Sequence, residues 1–235
     1  REKGEQFLDL EGIANHKGSA FGALGEDHQP SVEQFENNLY EAFSKIDVSK
    51  RFWVEDESKS IGRVYVPQFF WATMRKMPVI FLQRPIGMRV EHLVKGYACY
   101  SSAELGESFE KIQKRLGGQH LKSALKFLEE EDYTGAAIIA LKYYDKAYAN
   151  ALNKRRETCE IIPFETKEKY PEIIAEYLIK FVENGRSNIG GELQFSIKSY
   201  TGKHDLIKRI KDMLQSMGYN TNILKLSTCL FFHFW

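Results

Sequence analysis

The sequence predicts an α/β protein with a mainly parallel sheet covered by helices and a helical C-terminal half. Three short apolar runs predict buried strands, at residues 6–10, 51–54 and 79–82. Between the first and second runs, and again between the second and third, lie segments whose apolar residues are spaced three or four apart. This spacing is typical of helices. Because strands that alternate with helices form βα units, the pattern favours a parallel sheet with helices on its faces.

Length and composition set limits on the class of protein. The chain has 235 residues, of which 43% are apolar and 28% charged, values typical of soluble globular proteins. We predict one domain over residues 1–185 and an appended strand–helix–strand segment of unknown role over residues 186–235. No apolar run reaches the roughly eighteen residues that a membrane helix needs, so no membrane partner is expected.

Charge and cysteine content are consistent with a cytoplasmic protein. The net charge is +1, although residues 186–235 carry an excess of Lys and Arg. Net charge therefore does not by itself indicate a nucleic-acid partner. The three cysteines are Cys99, Cys159 and Cys229. They lie far apart, fit no zinc spacing and are odd in number, which favours a reducing compartment over a disulfide framework.

Residues 9–22, DLEGIANHKGSAFG, hold the greatest density of functional groups in the chain. They follow the first strand and are too rich in glycine for a regular helix, so we expect a loop at the carboxyl end of the sheet, where α/β proteins bind ligands. An ordinary solvated loop is the alternative. The candidate catalytic residues are Asp9, Glu11 and His16, and the candidate donors to an anion are Asn15, Lys17, Gly18 and Ser19.

A second polar group follows the strand at residues 51–54. Before that strand, Ser31 is the predicted N-cap of a helix that extends to about residue 46. After the strand come three consecutive carboxylates, of which Glu55 and Glu57 should lie on the same side. We expect them to be solvated, to pair with Lys59 or Arg63, or to bind Mg²⁺.

The third strand leads to two arginines, Arg84 and Arg89. Pro67 before it is the predicted start of a helix that carries an aromatic set expected in the core. A guanidinium offers a planar fork of donors, so arginines just past a strand end suit a phosphate or diphosphate. The structural alternative is that they pair with Glu91 or with the acidic run at Glu55.

Helical segments occupy most of the remaining chain. We predict helices over residues 89–99, 102–116, 120–131 and 134–153, with glycines at 117–118 ending the second. Residues 159–164 then form a short strand, which Pro163 restricts to the edge of the sheet. Residues 171–183 form the last predicted helix of this domain.

Several of these stretches resemble, in order and spacing, the C-terminal part of the tRNA 2-selenouridine synthase family. The resemblance covers residues 5–183. The motifs that carry it are DLEGIANHKGSAFG, Gln29-Pro30 with Gln34-Phe35-Glu36, WVEDESKSIGRVYVP at 53–67, Arg89-Val90-Glu91, and Tyr143-Tyr144-Asp145 with Tyr148.

The resemblance implies a P-loop-type domain that acts, beside a rhodanese-like domain, on the 2-thiouridine at the tRNA wobble position. It implies that the sulfur is prenylated from geranyl diphosphate and that the geranylthio group is then replaced by selenium from selenophosphate. Both co-substrates are phosphate anions. The residues we place at the site by this resemblance are Glu55 and Glu57 for catalysis, Ser58, Arg63, Arg84 and Arg89 for substrate phosphates, and Tyr144, Tyr148, Arg155 and Arg156 for tRNA. Phe21 and Phe52 are expected as apolar walls.

The sequence departs from the family pattern in two ways. The phosphate-binding loop GxxxxGK[ST] should precede the strand at residues 7–9, and the chain begins after that point, so we predict a truncated enzyme. Thr201-Gly202-Lys203 resembles part of such a loop, but Ile197 and His204 stand where the motif needs Gly and Ser or Thr.

Two other functions fit the same residues. Strands that end in Asp or Glu and are followed by arginines are also typical of nucleotide-kinase-like phosphotransferases. A noncatalytic tRNA-binding module is the third interpretation, with the catalytic loop lost.

Overall fold

The sheet, in a computed structural model that describes residues 4–184 and 229–232, has five strands that are all parallel. The strand order is β1-β2-β7-β5-β6. These strands are β1 (Gln6–Leu8), β2 (Phe52–Glu55), β5 (Val79–Gln83), β6 (Ile161–Glu165) and β7 (Cys229–Phe232), and a separate hairpin joins β3 (Ser60–Ile61) to β4 (Val64–Tyr65). The predicted α/β class with a parallel sheet is confirmed.

Nine helices in the described residues accompany these strands. They are α1 (Leu10–Ala14), α2 (Val32–Ser44), α3 (Gln68–Met74), α4 (Ile86–Tyr97), α5 (Ser102–Lys111), α6 (Gln113–Leu116), α7 (Gly118–Glu129), α8 (Tyr133–Arg155) and α9 (Pro171–Glu183). None of the helices within this part of the chain is both long enough and apolar enough to cross a membrane.

Some helices pack on the faces of the sheet, and others pack on one another in a separate helical unit. One apolar cluster lies between β1, β2 and α1–α3 and includes Phe35 and Phe52. A second joins β5 and β6 to α9 through Ile80 and Leu178. The third holds α5, α7 and α8 together with Phe21, so the loop after α1 packs against the helical unit. That loop is thereby held between the sheet and the helices.

Strand β7 fills the slot between β2 and β5. Four residue pairs join it to β2, whereas one pair, Val79 with Phe231, joins it to β5. The strands β1, β2, β5 and β6 come from the residues 4–184, so a segment distant in sequence completes the sheet. The other expectations for residues 186–235, including the Thr201-Gly202-Lys203 tripeptide, lie outside the described residues.

Most predicted helices and strands are confirmed, and the main differences concern the residues at which they begin and end. The predicted strand at residues 6–10 ends at Leu8, because the Asp9 carboxylate accepts a hydrogen bond from the Gly12 amide and begins α1. The expectation that no helix follows was therefore wrong for Leu10–Ala14. Helix α4 begins at Ile86 and not at residue 89, so Arg89 lies inside a helix. Phe69, predicted in the core, is 58% exposed, whereas Phe70 is buried.

Candidate acidic and arginine site

The loop after α1 carries many of the predicted site residues. Asn15 ends the helix in the left-handed conformation, with φ 48°, and its side-chain amide donates to the carbonyl of His28. Ser19 is buried, and its hydroxyl accepts from the amide of Phe21. These contacts shape the loop, so both side chains are committed to it rather than aimed at a ligand.

His16 is buried at the start of this loop, with 8% of its surface exposed. Its Nδ1 accepts a hydrogen bond from the amide of Gly18 at 3.2 Å. Burial, and secondarily the positive charge of Lys111, lowers the pKa of His16 below its usual value. The imidazole is therefore neutral at pH 7, with its proton on Nε2.

Lys17 turns toward its own loop. Its ammonium lies 2.8 Å from the Glu26 carboxylate, donates to the carbonyl of Leu24, and stands 5.8 Å from the centroid of the Tyr97 ring. Because a carboxylate already compensates its charge, Lys17 is poorly placed for the predicted phosphate contact.

The predicted catalytic carboxylates do come together, at the carboxyl ends of β1 and β2. Glu55 accepts from the amide of Leu10 at 2.9 Å, and Glu57 is hydrogen-bonded to Glu11. Gly18, with φ 67°, lies so close that an added Cβ would stand 2.6 Å from Glu57 Oε1. The expected partners Lys59 and Arg63 are exposed, and no ion pair joins either to these carboxylates within the described residues.

Burial changes the proton affinity of this group. It raises the pKa of Glu11 to about 9, with further increases from the negative charges of Glu57 and Glu55. Burial also raises the pKa of Glu55 to about 8, and it raises that of Glu57. Since two carboxylates cannot both be ionised at hydrogen-bonding distance, the Glu11–Glu57 pair holds a proton at neutral pH.

Mg²⁺ was one of three alternatives for the carboxylates after β2, and it stays untested. Across residues 4–184, no group of three His, Cys, Asp or Glu side chains is arranged to hold a metal ion. The carboxylates engage backbone amides and each other, as Asp9 does with Gly12 and Glu55 with Leu10.

Three tyrosines connect the acidic group to the helical unit. The Tyr144 hydroxyl accepts from the amide of Ala20 at 3.1 Å, so it is anchored to the loop. Its ring stacks on that of Tyr148 with centroids 6.3 Å apart. Burial, followed by the charge of Glu57, raises the pKa of Tyr148, and burial followed by the charge of Glu11 raises that of Tyr97 to about 12. All three phenols are therefore neutral near the carboxylates.

A cleft of about 420 Å³ lies between α8 and the carboxyl end of β5. Arg84 and Arg89 were expected to bind substrate phosphates, and Tyr148 and Arg156 were expected to bind tRNA. All four line this one cleft. Residues predicted for two different roles thus share a single site.

The guanidiniums of the cleft differ in their partners. Arg89 forms two hydrogen bonds with Asp145, so its charge is compensated. Arg84 donates to the carbonyl of Glu168 and forms no ion pair with a described residue, and the buried Nε atoms of Arg84 and Arg89 both have no hydrogen-bond partner in the described part of the chain. Arg156 is exposed and forms no ion pair with any described residue. The charges of Arg84 and Arg156 are therefore uncompensated, whereas that of Arg89 is balanced by Asp145.

Arg155 lies elsewhere. It is 2% exposed, forms an ion pair with Asp56 and donates to the carbonyl of Met74. Its side chain links α8 to the segments after β2 and α3, which argues against the predicted contact with tRNA. Ser58 and Arg63 are exposed, and neither lines the cleft.

Asp145 and Tyr97 are the residues that our sequence reasoning missed. Asp145 stands in the motif shared with the family and three residues before Tyr148, hence on the same helix face, so the spacing could have placed it beside the cleft. Tyr97 had no comparable signal, because only tertiary packing brings it to Glu11.

Several curated proteins are similar in sequence to this chain. The curated relatives include three proteins named tRNA 2-selenouridine synthase. That of Shewanella piezotolerans is 35% identical over 181 residues, covering 64% of this chain and 49% of the relative. That of Pseudomonas putida is 33% identical over 192 residues, covering 66% and 50%. That of Sulfurovum sp. is 31% identical over 177 residues, covering 63% and 48%.

The chain spans about half the length of the curated relatives that it matches. No solved structure matches it significantly. The family model described as the tRNA 2-selenouridine synthase AAA domain matches residues 2–184. These residues include the acidic group, the three tyrosines and the arginine cleft, and they make up most of the chain. The chain therefore belongs to the tRNA 2-selenouridine synthase AAA domain family.

Proposed function

We propose that this chain takes part in modifying the wobble 2-thiouridine of tRNA. In the first reaction the sulfur attacks the allylic carbon of geranyl diphosphate, so that a C–S bond forms while the C–O bond to diphosphate breaks. In the second, the selenium of selenophosphate attacks the base carbon and geranylthiolate leaves as the C–S bond breaks; water then cleaves the Se–P bond and phosphate is released. The names of the relatives support the tRNA substrate, and the resemblance described above is the basis for the two co-substrates.

One observation carries this proposal, namely the cleft in which Arg84 and Arg156 are uncompensated. The tRNA backbone, selenophosphate and geranyl diphosphate all present phosphate oxygens. A guanidinium with free N–H groups in a partly buried cleft stabilises such oxygens more strongly than one in bulk water. The Tyr148 ring on the wall of the cleft adds an aromatic surface of the kind against which unpaired bases stack.

The acidic group would supply a proton rather than a charge. Glu11 and Glu57 share a proton at neutral pH, as argued above, and a carboxylic acid can protonate a leaving thiolate or phosphate oxygen. His16 is not a candidate base, because its Nδ1 already accepts from the amide of Gly18 and its Nε2 carries the proton. The rhodanese-like domain that the resemblance implies would come from the same or a separate chain.

Nucleoside analysis by mass spectrometry tests the proposal. Thiolated tRNA is incubated with geranyl diphosphate and the protein that contains this chain, and geranylthiouridine is quantified. Arg84→Gln and Arg156→Gln should each reduce the product, whereas Lys154→Gln, an exposed neighbour on α8, should not. Circular dichroism confirms that the variants are folded.

The same samples separate the other two interpretations. If tRNA binds but no geranylated product forms, the protein is a noncatalytic tRNA-binding module. If phosphoryl transfer from ATP to a nucleotide appears instead, it is a nucleotide-kinase-like phosphotransferase. Full geranylation by the Arg84→Gln and Arg156→Gln variants would remove the cleft from the proposed site.

A further inference from the structure

A second cavity lies inside the helical unit. Tyr144 lines this cavity and Tyr148 lines the arginine cleft, so the stacked rings of this tyrosine pair lie between the two. Its volume is about 60 Å³, and α4, α5, α7 and α8 line it together with Phe21 of the glycine-rich loop. The lining side chains are aliphatic or aromatic. The one hydroxyl whose partner is known, that of Tyr144, is engaged by the amide of Ala20.

The lining decides what such a cavity can hold. A buried water needs two or more polar partners, so an apolar cavity stays dry and takes apolar ligands. A single water occupies roughly 10–15 Å³ on this scale. The cavity therefore has room for roughly four to six groups of that size, about as many as the branched end of a hydrocarbon chain.

The position of the cavity connects it to the candidate site. Tyr97 lines it and lies near Glu11, whose charge raises the pKa of that phenol. Tyr144 also lines it, and its ring stacks on Tyr148, which lines the arginine cleft. A ligand with a phosphate head and an apolar tail would thus find its two kinds of surface on either side of the same tyrosine pair.

Small residues of α8 form part of the cavity wall. Ala136 and Ala140 are 3% and 7% exposed, both line the cavity, and they lie one helical turn apart on the same face. Any larger side chain at either position would point into the space that a ligand would occupy.

We propose that this cavity binds the distal end of an isoprenoid hydrocarbon chain, and that Ala136 and Ala140 limit the chain length that it accepts. The inference rests on the proposed function, since it assigns a place to the apolar part of a prenyl donor. Ala136 and Ala140 are specificity-determining residues in this proposal and take no part in bond making.

Binding of prenyl alcohols tests the inference without phosphate or tRNA. Geraniol and 3-methyl-2-buten-1-ol are titrated by calorimetry into the 235-residue chain and into its variants Ala140→Leu and Ala147→Leu. Ala147 lies on the same helix but is exposed, so it is the matched control. Ala140→Leu should weaken geraniol binding about tenfold, the effect of excluding about two methylene groups. It should weaken binding of the shorter alcohol less.

Two results would overturn the inference: no saturable binding of geraniol to the wild type, or equal affinity of geraniol for wild type and Ala140→Leu. If Ala140→Leu does not fold, Ala140→Val makes the same comparison with a smaller side chain. The proposed function fails separately. If substitution at residue 140 changes geraniol binding but no geranyl transfer to tRNA occurs, the cavity assignment stands and the proposed reaction is refuted. If geranyl transfer occurs and substitution at residue 140 changes neither binding nor transfer, the reaction stands and the cavity assignment is refuted.

Discussion

Arg89 on α4 and Asp145 on α8 form a two-point ion pair, with Nη1 3.2 Å from Oδ2 and Nη2 2.5 Å from Oδ1. The arginine side chain is 15% exposed and the aspartate 47%. The pair joins two helices that form part of the cleft wall. The partners expected from the sequence, Glu91 and Glu55, are engaged elsewhere, with Lys169 and with the amide of Leu10.

We predict that Arg89→Lys destabilises the protein, because lysine keeps the charge but loses the planar fork. The free energy of unfolding should fall by about 1.5–3 kcal/mol, the range for a hydrogen bond to a charged group. Urea unfolding measures it. Glu91→Gln is the control, since the Glu91–Lys169 pair is more than half exposed on both sides and its loss should change stability by less than about 0.5 kcal/mol. If the two substitutions change the free energy of unfolding equally, the Arg89–Asp145 pair stabilises the protein no more than the exposed Glu91–Lys169 pair does.

Adjacent arginines at the end of α8 should behave in opposite ways. Arg155 is buried against Asp56, and its removal leaves that carboxylate with only the longer ion pair to Arg75, at 3.5 Å. Arg155→Gln should therefore lower the free energy of unfolding by about 3 kcal/mol, the lower end of the range for breaking a buried ion pair. Arg156 is exposed in the cleft, so Arg156→Gln should leave stability within about 0.5 kcal/mol.

Binding of tRNA should respond to Arg156→Gln and not to Arg155→Gln. Each phosphate contact that is lost reduces the slope of log affinity against log salt by about 0.9 for a duplex and by about 0.7 for a single strand. Fluorescence titrations at several salt concentrations should show this reduction for Arg156→Gln. If Arg155→Gln is folded and changes the salt slope while Arg156→Gln does not, the assignment of the two residues is reversed.

The sequence predicted the elements better than the contacts between them. The apolar runs that became β2 and β5, the Ser31 cap and the edge strand with Pro163 all depend on local chemistry, and each was confirmed. Asp9 was expected at a strand end followed by a loop. A carboxylate that caps the next turn outweighed the low helix propensity of Gly12.

Pairing over long distances in sequence was not predictable in this way. The motifs placed Arg89 and Tyr148 at a site, but the Asp145 partner depends on how α4 crosses α8, which no local pattern specifies. Likewise the run of carboxylates after β2 was expected to be solvated, to pair with Lys59 or Arg63, or to bind Mg²⁺. Its hydrogen bond to Glu11 requires β1 and β2 to be neighbours, which only the sheet order shows.

Gly18 should be difficult to replace. Its φ of 67° is unfavourable for side chains, and an added Cβ would stand 2.6 Å from the carboxylate of Glu57. We predict that Gly18→Ala lowers the free energy of unfolding by at least about 1–2 kcal/mol from backbone conformation alone. The control is Gly96→Ala in α4, where a Cβ meets nothing within 4 Å and where alanine should stabilise by up to about 1 kcal/mol. Thermal unfolding of the two variants should therefore shift in opposite directions, and a shift in the same direction would contradict the described loop.

The acidic group should make the protein less stable as pH rises. Glu11 has a pKa of about 9 and Glu55 one of about 8 in the folded protein, whereas both have pKa values near 4.5 when unfolded. Between these values the folded state binds more protons than the unfolded state, so the free energy of unfolding decreases with pH. The loss begins above pH 4.5 and ends near the folded pKa values. Each retained proton contributes a slope of up to about 1.4 kcal/mol per pH unit.

Glu11→Gln tests this dependence, because glutamine imitates the protonated acid and cannot ionise. Urea unfolding from pH 5 to pH 9 should show a shallower decline for Glu11→Gln than for the wild type, with the two closest at pH 5 and the variant more stable at pH 9. Glu41→Gln, at an exposed position on α2, should follow the wild type throughout. If Glu11→Gln parallels the wild type over the whole range, the carboxyl of Glu11 is ionised in the folded protein, and the proton that we place between Glu11 and Glu57 is not there to be donated.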